Sequence, residues 1–80
     1  MHGGVNMIPK YTIYEHIGKI SKSNNGWVKE LNKIAWGDRE PVYDIRTWNI
    51  DHTKYGKGVT ITHIELRNLY DLLSSIKVKL

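Results

Sequence analysis

Residues 59–76 read VTITHIELRNLYDLLSSI, and this stretch decides the fold. Val59, Thr60 and Ile61 predict a short β-strand, since two of them are aliphatic and all three are β-branched. Thr62 then stands three residues before Glu65. That is the spacing of a capping box, in which hydroxyl and carboxylate each satisfy a backbone N–H left free at a helix start. Ile61 before the cap and Leu66 four residues past it have the spacing of a hydrophobic staple. Leu66, Leu69, Tyr70, Leu73 and Ile76 follow at i, i+3, i+4, i+7 and i+10, which is one face of a helix. Such a stripe needs an apolar surface to lie on.

The sequence upstream supplies that surface as strands. Residues 41–49 (PVYDIRTWN) alternate, with Tyr43, Ile45 and Thr47 on one face and Val42, Asp44, Arg46 and Trp48 on the other. The helix is expected to seat on Tyr43 and Ile45. Residues 27–36 (WVKELNKIAW) have imperfect parity, and Trp27, Leu31 and Ile34 also fit a helical spacing. The Asn25-Gly26 turn before them and the turn at residues 37–41 after them favour a twisted or bulged strand. Residues 11–21 (YTIYEHIGKIS) predict a first strand, with Tyr11, Ile13 and Ile17 on one parity and Gly18 marking a bulge. Residues 50–58 (IDHTKYGKG) read as a loop. Residues 1–10 lack pattern and read as a flexible lead, with His2-Gly3-Gly4 as a non-native remnant and Met7 as an alternative start.

The expected architecture is α+β: a four-stranded curved antiparallel sheet followed by one C-terminal helix, forming a single domain over residues 11–80. Leu72 and Leu80 fall off the helical stripe. In a chain of 80 residues such surplus apolar surface points to a homodimer.

Composition narrows the function. The absence of cysteine excludes disulfide scaffolds, cysteine-based metal sites and thiol catalysis. No apolar run approaches the roughly 20 residues of a membrane-spanning helix. Asp51-His52 with a distant histidine lacks ligand spacing, the serines lack a nucleophile context, and no phosphate-binding loop occurs. No enzyme activity, cofactor, metal, membrane or small-molecule substrate is expected, and the expected location is the cytoplasm, on the nucleoid in a bacterium. Twelve basic against eight acidic residues give a net charge of +4, consistent with a polyanionic partner.

The face opposite the helix is expected to carry that partner. It combines Arg46 and Trp48 with Trp27 or Trp36, ringed by Lys19, Lys29, Lys33, Lys54 and Lys57. Indoles on a sheet face offer stacking platforms worth roughly 1–3 kcal/mol per unstacked base. Lysines neutralise phosphates, and Arg46 can stack or form a bidentate phosphate contact. A plainer assignment competes with this one: the tryptophans pack a core or a dimer interface, the lysines are a solvated face, and Arg46 pairs with Asp44.

Several segments carry a family resemblance. Asp44-Ile45-Arg46-Thr47-Trp48, followed by Lys57-Gly58-Val59-Thr60-Ile61-Thr62, resembles the single-stranded-DNA-binding domain of the eukaryotic transcriptional coactivator called positive cofactor four. Glu15-His16-Ile17-Gly18, Gly26-Trp27, Lys29-Glu30-Leu31, Trp36, Asp51-His52, Lys54 and Gly56-Lys57-Gly58 make the likeness closer to the small bacterial YdbC-like members. The resemblance runs from Tyr14 to Ile76. It implies a homodimer formed through helix and sheet edge, and binding of single-stranded DNA on the sheet face with little sequence preference. It implies that Arg46, Trp48, Trp36, Lys19 and Lys57 contact the strand. Trp27, Lys29, Lys33 and Lys54 rest on the surface argument. Roles in transcription regulation, replication or repair are the expectation. A protein-interaction module of the transcription machinery and a single-stranded RNA binder are the alternatives.

Overall fold

The computed structural model describes residues 10–76, so all but the last residue of the expected lead over residues 1–10, and residues 77–80 with the off-stripe Leu80, lie outside the described residues. Four strands and one helix follow in chain order: β1 (Tyr11–Lys22), β2 (Val28–Trp36), β3 (Val42–Trp48), β4 (Tyr55–Ile61) and α1 (His63–Ser75). The strands form one antiparallel sheet in sequence order. The expected α+β class and β-β-β-β-α order are what the chain adopts.

Local chemistry places each turn. Gly26 takes φ +89°, a left-handed conformation open to glycine without steric penalty, and closes the first hairpin with its N–H on the Ser23 carbonyl at 3.1 Å. Gly37 takes φ +62° in the second turn, which the Arg39 N–H closes on the Trp36 carbonyl at 3.1 Å, while the Gly37 N–H donates to the Lys10 carbonyl at 2.8 Å. Thr62 caps α1 as its sequence requires: its hydroxyl accepts from the Glu65 N–H at 3.1 Å, and its own N–H donates to the Glu65 carboxylate at 2.8 Å.

Two departures from the sequence reading concern the strands. β1 is bulged three times, between Ile13 and Glu15, between His16 and Gly18, and between Lys19 and Ser21. Gly18 marks only the second. Tyr14, Ile17 and Ile20 are the extra residues, all exposed, so Ile17 does not share the face of Tyr11 and Ile13. β4 begins at Tyr55, where a loop was expected to run to Gly58. Glycine permits this early start. A Cβ at Gly58 would run into Arg46 and the Ile45 carbonyl, and one at Gly56 into Thr47 Oγ1, so both glycines allow β4 to close on β3.

The register sorts the side chains onto two faces. Pairings of Val28 with Trp48, Glu30 with Arg46, Asn32 with Asp44 and Ile34 with Val42 put these residues on one face. Lys29, Leu31 and Lys33 pair with Thr47, Ile45 and Tyr43 on the other. The helix lies on the second face, the one expected from Tyr43 and Ile45, with Leu31 and Ile45 facing its stripe and His63 6.2 Å from the Tyr43 ring, but no helical residue is buried. The most deeply buried side chains are Trp48, Ile34, Asn32 and Asp44, all on the face opposite the helix. The core of the chain therefore sits on the side that the sequence marked as open.

Candidate nucleic-acid interface

On the face opposite the helix, β1, β2, β3 and β4 bring together Tyr11, Trp36, Trp48 and Tyr55. The Tyr11 ring lies 5.8 Å from Trp36, 5.1 Å from Trp48 and 5.7 Å from Tyr55, tilted or edge-on in each case. Tyr55 lies 5.1 Å from Trp36 and 5.4 Å from Trp48, also inclined. Inclined rings with centroids 5–6 Å apart are the geometry of a packed aromatic cluster. The loop at residues 49–54 closes over it. His52 lies against Trp48 with ring centroids 5.4 Å apart, and its carbonyl accepts from the Tyr11 hydroxyl. His52 reaches this position at φ +59°, a conformation that a non-glycine residue holds only when its surroundings fix it.

Trp48 is consequently 0% exposed and presents no face to a base. Its expected role as a stacking platform is corrected to that of a core residue. Its parity was read properly. What the sequence hid is that the β3–β4 loop and the start of β1 fold over that parity.

Arg46 stands beside the cluster. Its Nε and Nη2 donate to the two Asp44 carboxylate oxygens at 2.8 and 2.9 Å, and its Nη1 to the Gly56 carbonyl at 3.2 Å. The guanidinium lies 4.7 Å from the Trp36 ring centroid and 5.6 Å from that of Tyr55. Asp44 is fully buried, and a buried carboxylate requires such a bidentate partner. The pairing with Asp44 and the stack on Trp36 coexist, because a guanidinium carries its hydrogen-bond donors in its plane and leaves its faces free. Trp36, Arg39, Arg46, Tyr55 and Thr60 line a shallow open cleft of about 350 Å³. Arg39, exposed in the β2–β3 turn, and Tyr55, 40% exposed at the start of β4, are residues that sequence reasoning missed. The early start of β4 hid Tyr55. Arg39 carried no signal beyond its charge.

The structure separates the remaining candidates. Lys19 pairs with Glu30 across β1 and β2 and so shares the face of Arg46. Lys29 and Lys33 do not: they pair with Thr47 and Tyr43 on the helix side, and the Lys33 ammonium lies 5.8 Å from the Tyr43 ring. Their placement around the open face is corrected accordingly, because an odd-numbered lysine on β2 alternates away from Glu30, Asn32 and Ile34. Trp27, half-buried, lies just before β2 with its ring near Gly56. Together with Lys19, Lys22, Asn25 and Ile50 it lines a second groove of about 360 Å³ at the end of the first hairpin. Lys54 and Lys57 are exposed before and within β4.

On the same face lies a polar cluster in which Glu30 and Asn32 are buried and the His16 and His52 side chains are 54% and 37% exposed. The Glu30 carboxylate meets His52 Nε2 at 2.9 and 3.0 Å, accepts from Asn32 Nδ2 at 3.0 Å, and lies 3.5 Å from His16 Nδ1. The Asn32 Oδ1 is 2.7 Å from the same His16 nitrogen. Burial pushes the Glu30 carboxyl up, but the hydrogen bonds from Asn32 and His52 and the charges of His52 and His16 outweigh it. The group ends below its ordinary value of 4.5. Among the described residues no group of three or more His, Cys, Asp or Glu is arranged to hold a metal ion.

The described residues thus form an α+β domain, a four-stranded antiparallel sheet with one C-terminal helix, that carries Arg46 over the Trp36 indole. The chain is 45% identical over 76 residues to a protein of Treponema pallidum (strain Nichols) described only as uncharacterized, spanning 95% of this chain and 89% of that one. The chain belongs to the same family as that protein. No established family pattern matches the sequence.

Proposed function

We propose that the protein binds single-stranded DNA, with little sequence preference, as a homodimeric relative of the YdbC-like and positive cofactor four domains. The observation that carries this reading is the cleft in which Arg46, fixed by Asp44 and Gly56, lies over the Trp36 ring beside Tyr55, with Arg39 at the rim. Such a cleft offers the guanidinium plane of Arg46 and the partly exposed Tyr55 ring to an unstacked base, and the exposed Arg39 to the adjoining phosphate, the Arg46 charge being balanced by Asp44. Duplex DNA keeps its base faces stacked and gains only the phosphate contacts. Lys19, Lys22 and Trp27 at the far groove extend the same chemistry along the sheet.

Titration with oligo-dT, oligo-U and duplex DNA at two salt concentrations tests the reading. Affinity for oligo-dT should exceed that for duplex by about tenfold or more and fall with salt at roughly −0.7 per phosphate contacted. Arg39→Ala and Tyr55→Ala should weaken binding while the protein stays folded. Equal affinity for duplex, or no dependence on salt, overturns the reading. A preference for oligo-U would move it to RNA.

A further inference from the structure

We infer that binding a nucleic-acid strand on this face takes up protons, and that the His16–Glu30–His52 cluster receives them. The inference rests on the single-strand reading and concerns the regulation of that same face.

The hydrogen bonds fix which ring nitrogen is free. Glu30 is a carboxylate and can only accept, so His52 Nε2, at 2.9 and 3.0 Å from its oxygens, carries a proton and leaves Nδ1 to take another. Asn32 donates through Nδ2 to Glu30 at 3.0 Å, so its Oδ1 accepts from His16 Nδ1 at 2.7 Å, and His16 Nε2 is free. Each imidazole therefore gains a proton without breaking any bond in the cluster. With both rings neutral the cluster carries −1, and with both protonated it carries +1.

The surrounding charges make that difference matter. From β1, Lys19 stands opposite Glu30, and the Tyr11 hydroxyl holds the His52 carbonyl. From β3, Arg46 is also opposite Glu30, but its charge is balanced by Asp44. From β4 come Tyr55 and the uncharged Gly58, and from the loop Asp51 and Lys54. With its histidines neutral, Glu30 is a buried negative charge beneath the proposed path of a polyanion. A strand laid over it favours the protonated rings. By linkage, a bound state that holds more protons binds more tightly as pH falls. Protonation of His52 also tightens its hold on Glu30, and with it the loop that closes over Trp48.

The test is the affinity for oligo-dT at fixed ionic strength between about pH 8 and pH 6, across the ordinary imidazole range. The wild-type affinity should rise at least about tenfold over these two pH units, the change expected when roughly half a proton on average is taken up per binding event. The paired substitution His16→Gln with His52→Gln should flatten the profile. His63→Gln, beside Tyr43 on the helix side, should leave it steep. A flat wild-type profile, or one that stays steep in the paired variant, overturns the proton linkage and leaves single-strand binding standing. Failure to bind oligo-dT at any pH overturns both. Should the paired variant not fold, nuclear magnetic resonance of the wild-type imidazoles decides. Their titration midpoints must rise when oligo-dT is added, and midpoints that do not move overturn the inference.

Discussion

Trp48 shows how one residue can have the right parity and the wrong exposure. It shares a face with Arg46, yet Tyr11, Tyr55 and His52 surround it. Trp48→Ala should therefore destabilise the protein by about 3–5 kcal/mol, as large aromatic truncations in cores do, and a urea melt would show it. Trp48→Phe should be much milder, because the indole Nε1 has no hydrogen-bond partner among the described residues and phenylalanine removes that unpaired donor. Oligonucleotide affinity of Trp48→Phe should match the wild type. A selective loss of affinity in a stable Trp48→Phe protein would restore Trp48 to the binding surface. Asp44→Ala should cost about 3–5 kcal/mol, since it strips the buried partner from Arg46. Glu30 acts through pH. Its folded carboxyl titrates below 4.5, so ionised Glu30 contributes stability that is fully present above that value. That contribution is lost as pH falls through the folded value. The urea midpoint of the wild type should fall more steeply below pH 4.5 than that of Glu30→Gln.

At the scale of elements, what was legible depended on how local the cause was. The helix could be read to the residue, because Thr62 and Glu65 satisfy each other within four positions. Thr62→Ala should cost about 1 kcal/mol of stability, measurable by chemical denaturation. The Asn25-Gly26 turn and the parity of β3 were legible for the same reason. β1 was less so. Tyr14, Ile17 and Ile20 are inserted at steps of three, and such a run imitates neither a strand nor a helix. A bulge is set by the partner strand, and only Gly18 left a mark in the sequence. The early start of β4 was hidden similarly: glycines read as loop residues are there to let β4 approach Arg46 and Thr47. Of the site, Arg46 could be placed from parity, whereas Trp36, an alternative to Trp27 on the surface argument, and Lys19 were singled out by the family resemblance. The parity of Lys29 and Lys33 was legible too, but the imperfect pattern of β2 obscured which face it denoted. The closure of the β3–β4 loop over Trp48 depends on contacts as distant as that between Tyr11 and His52, and no local pattern encodes it.

For the whole molecule, the two sides of the sheet are unequally finished. The cluster side is closed by its own aromatic rings and by the loop at residues 49–54. The helix side is not. Ile64, Tyr70, Leu72, Leu73 and Ile76 are 70%, 65%, 64%, 57% and 51% exposed, although they belong to the only helix among the described residues. Leu31 and Ile45 of the sheet and Leu66, Leu69, Tyr70 and Leu73 of the helix line an open apolar groove of about 480 Å³. A chain of this size gains little by leaving such a stripe in water, at roughly 25 cal/mol for each Å² not buried. A second copy offers the same stripe in return, and a two-fold interface is self-complementary by construction. The protein should therefore sediment at twice the chain mass at micromolar concentration. Leu73→Glu should yield a folded monomer, because Leu73 is more than half exposed within one chain and its replacement disturbs the dimer contact rather than the core. If two strand-binding faces act together in the dimer, Leu73→Glu should also bind long oligo-dT more weakly than wild type, while the two bind short oligo-dT alike. A Leu73→Glu protein that remains a dimer would show that the helix stripe is not the seat of association. A monomer with undiminished affinity for long strands would show that each face works alone.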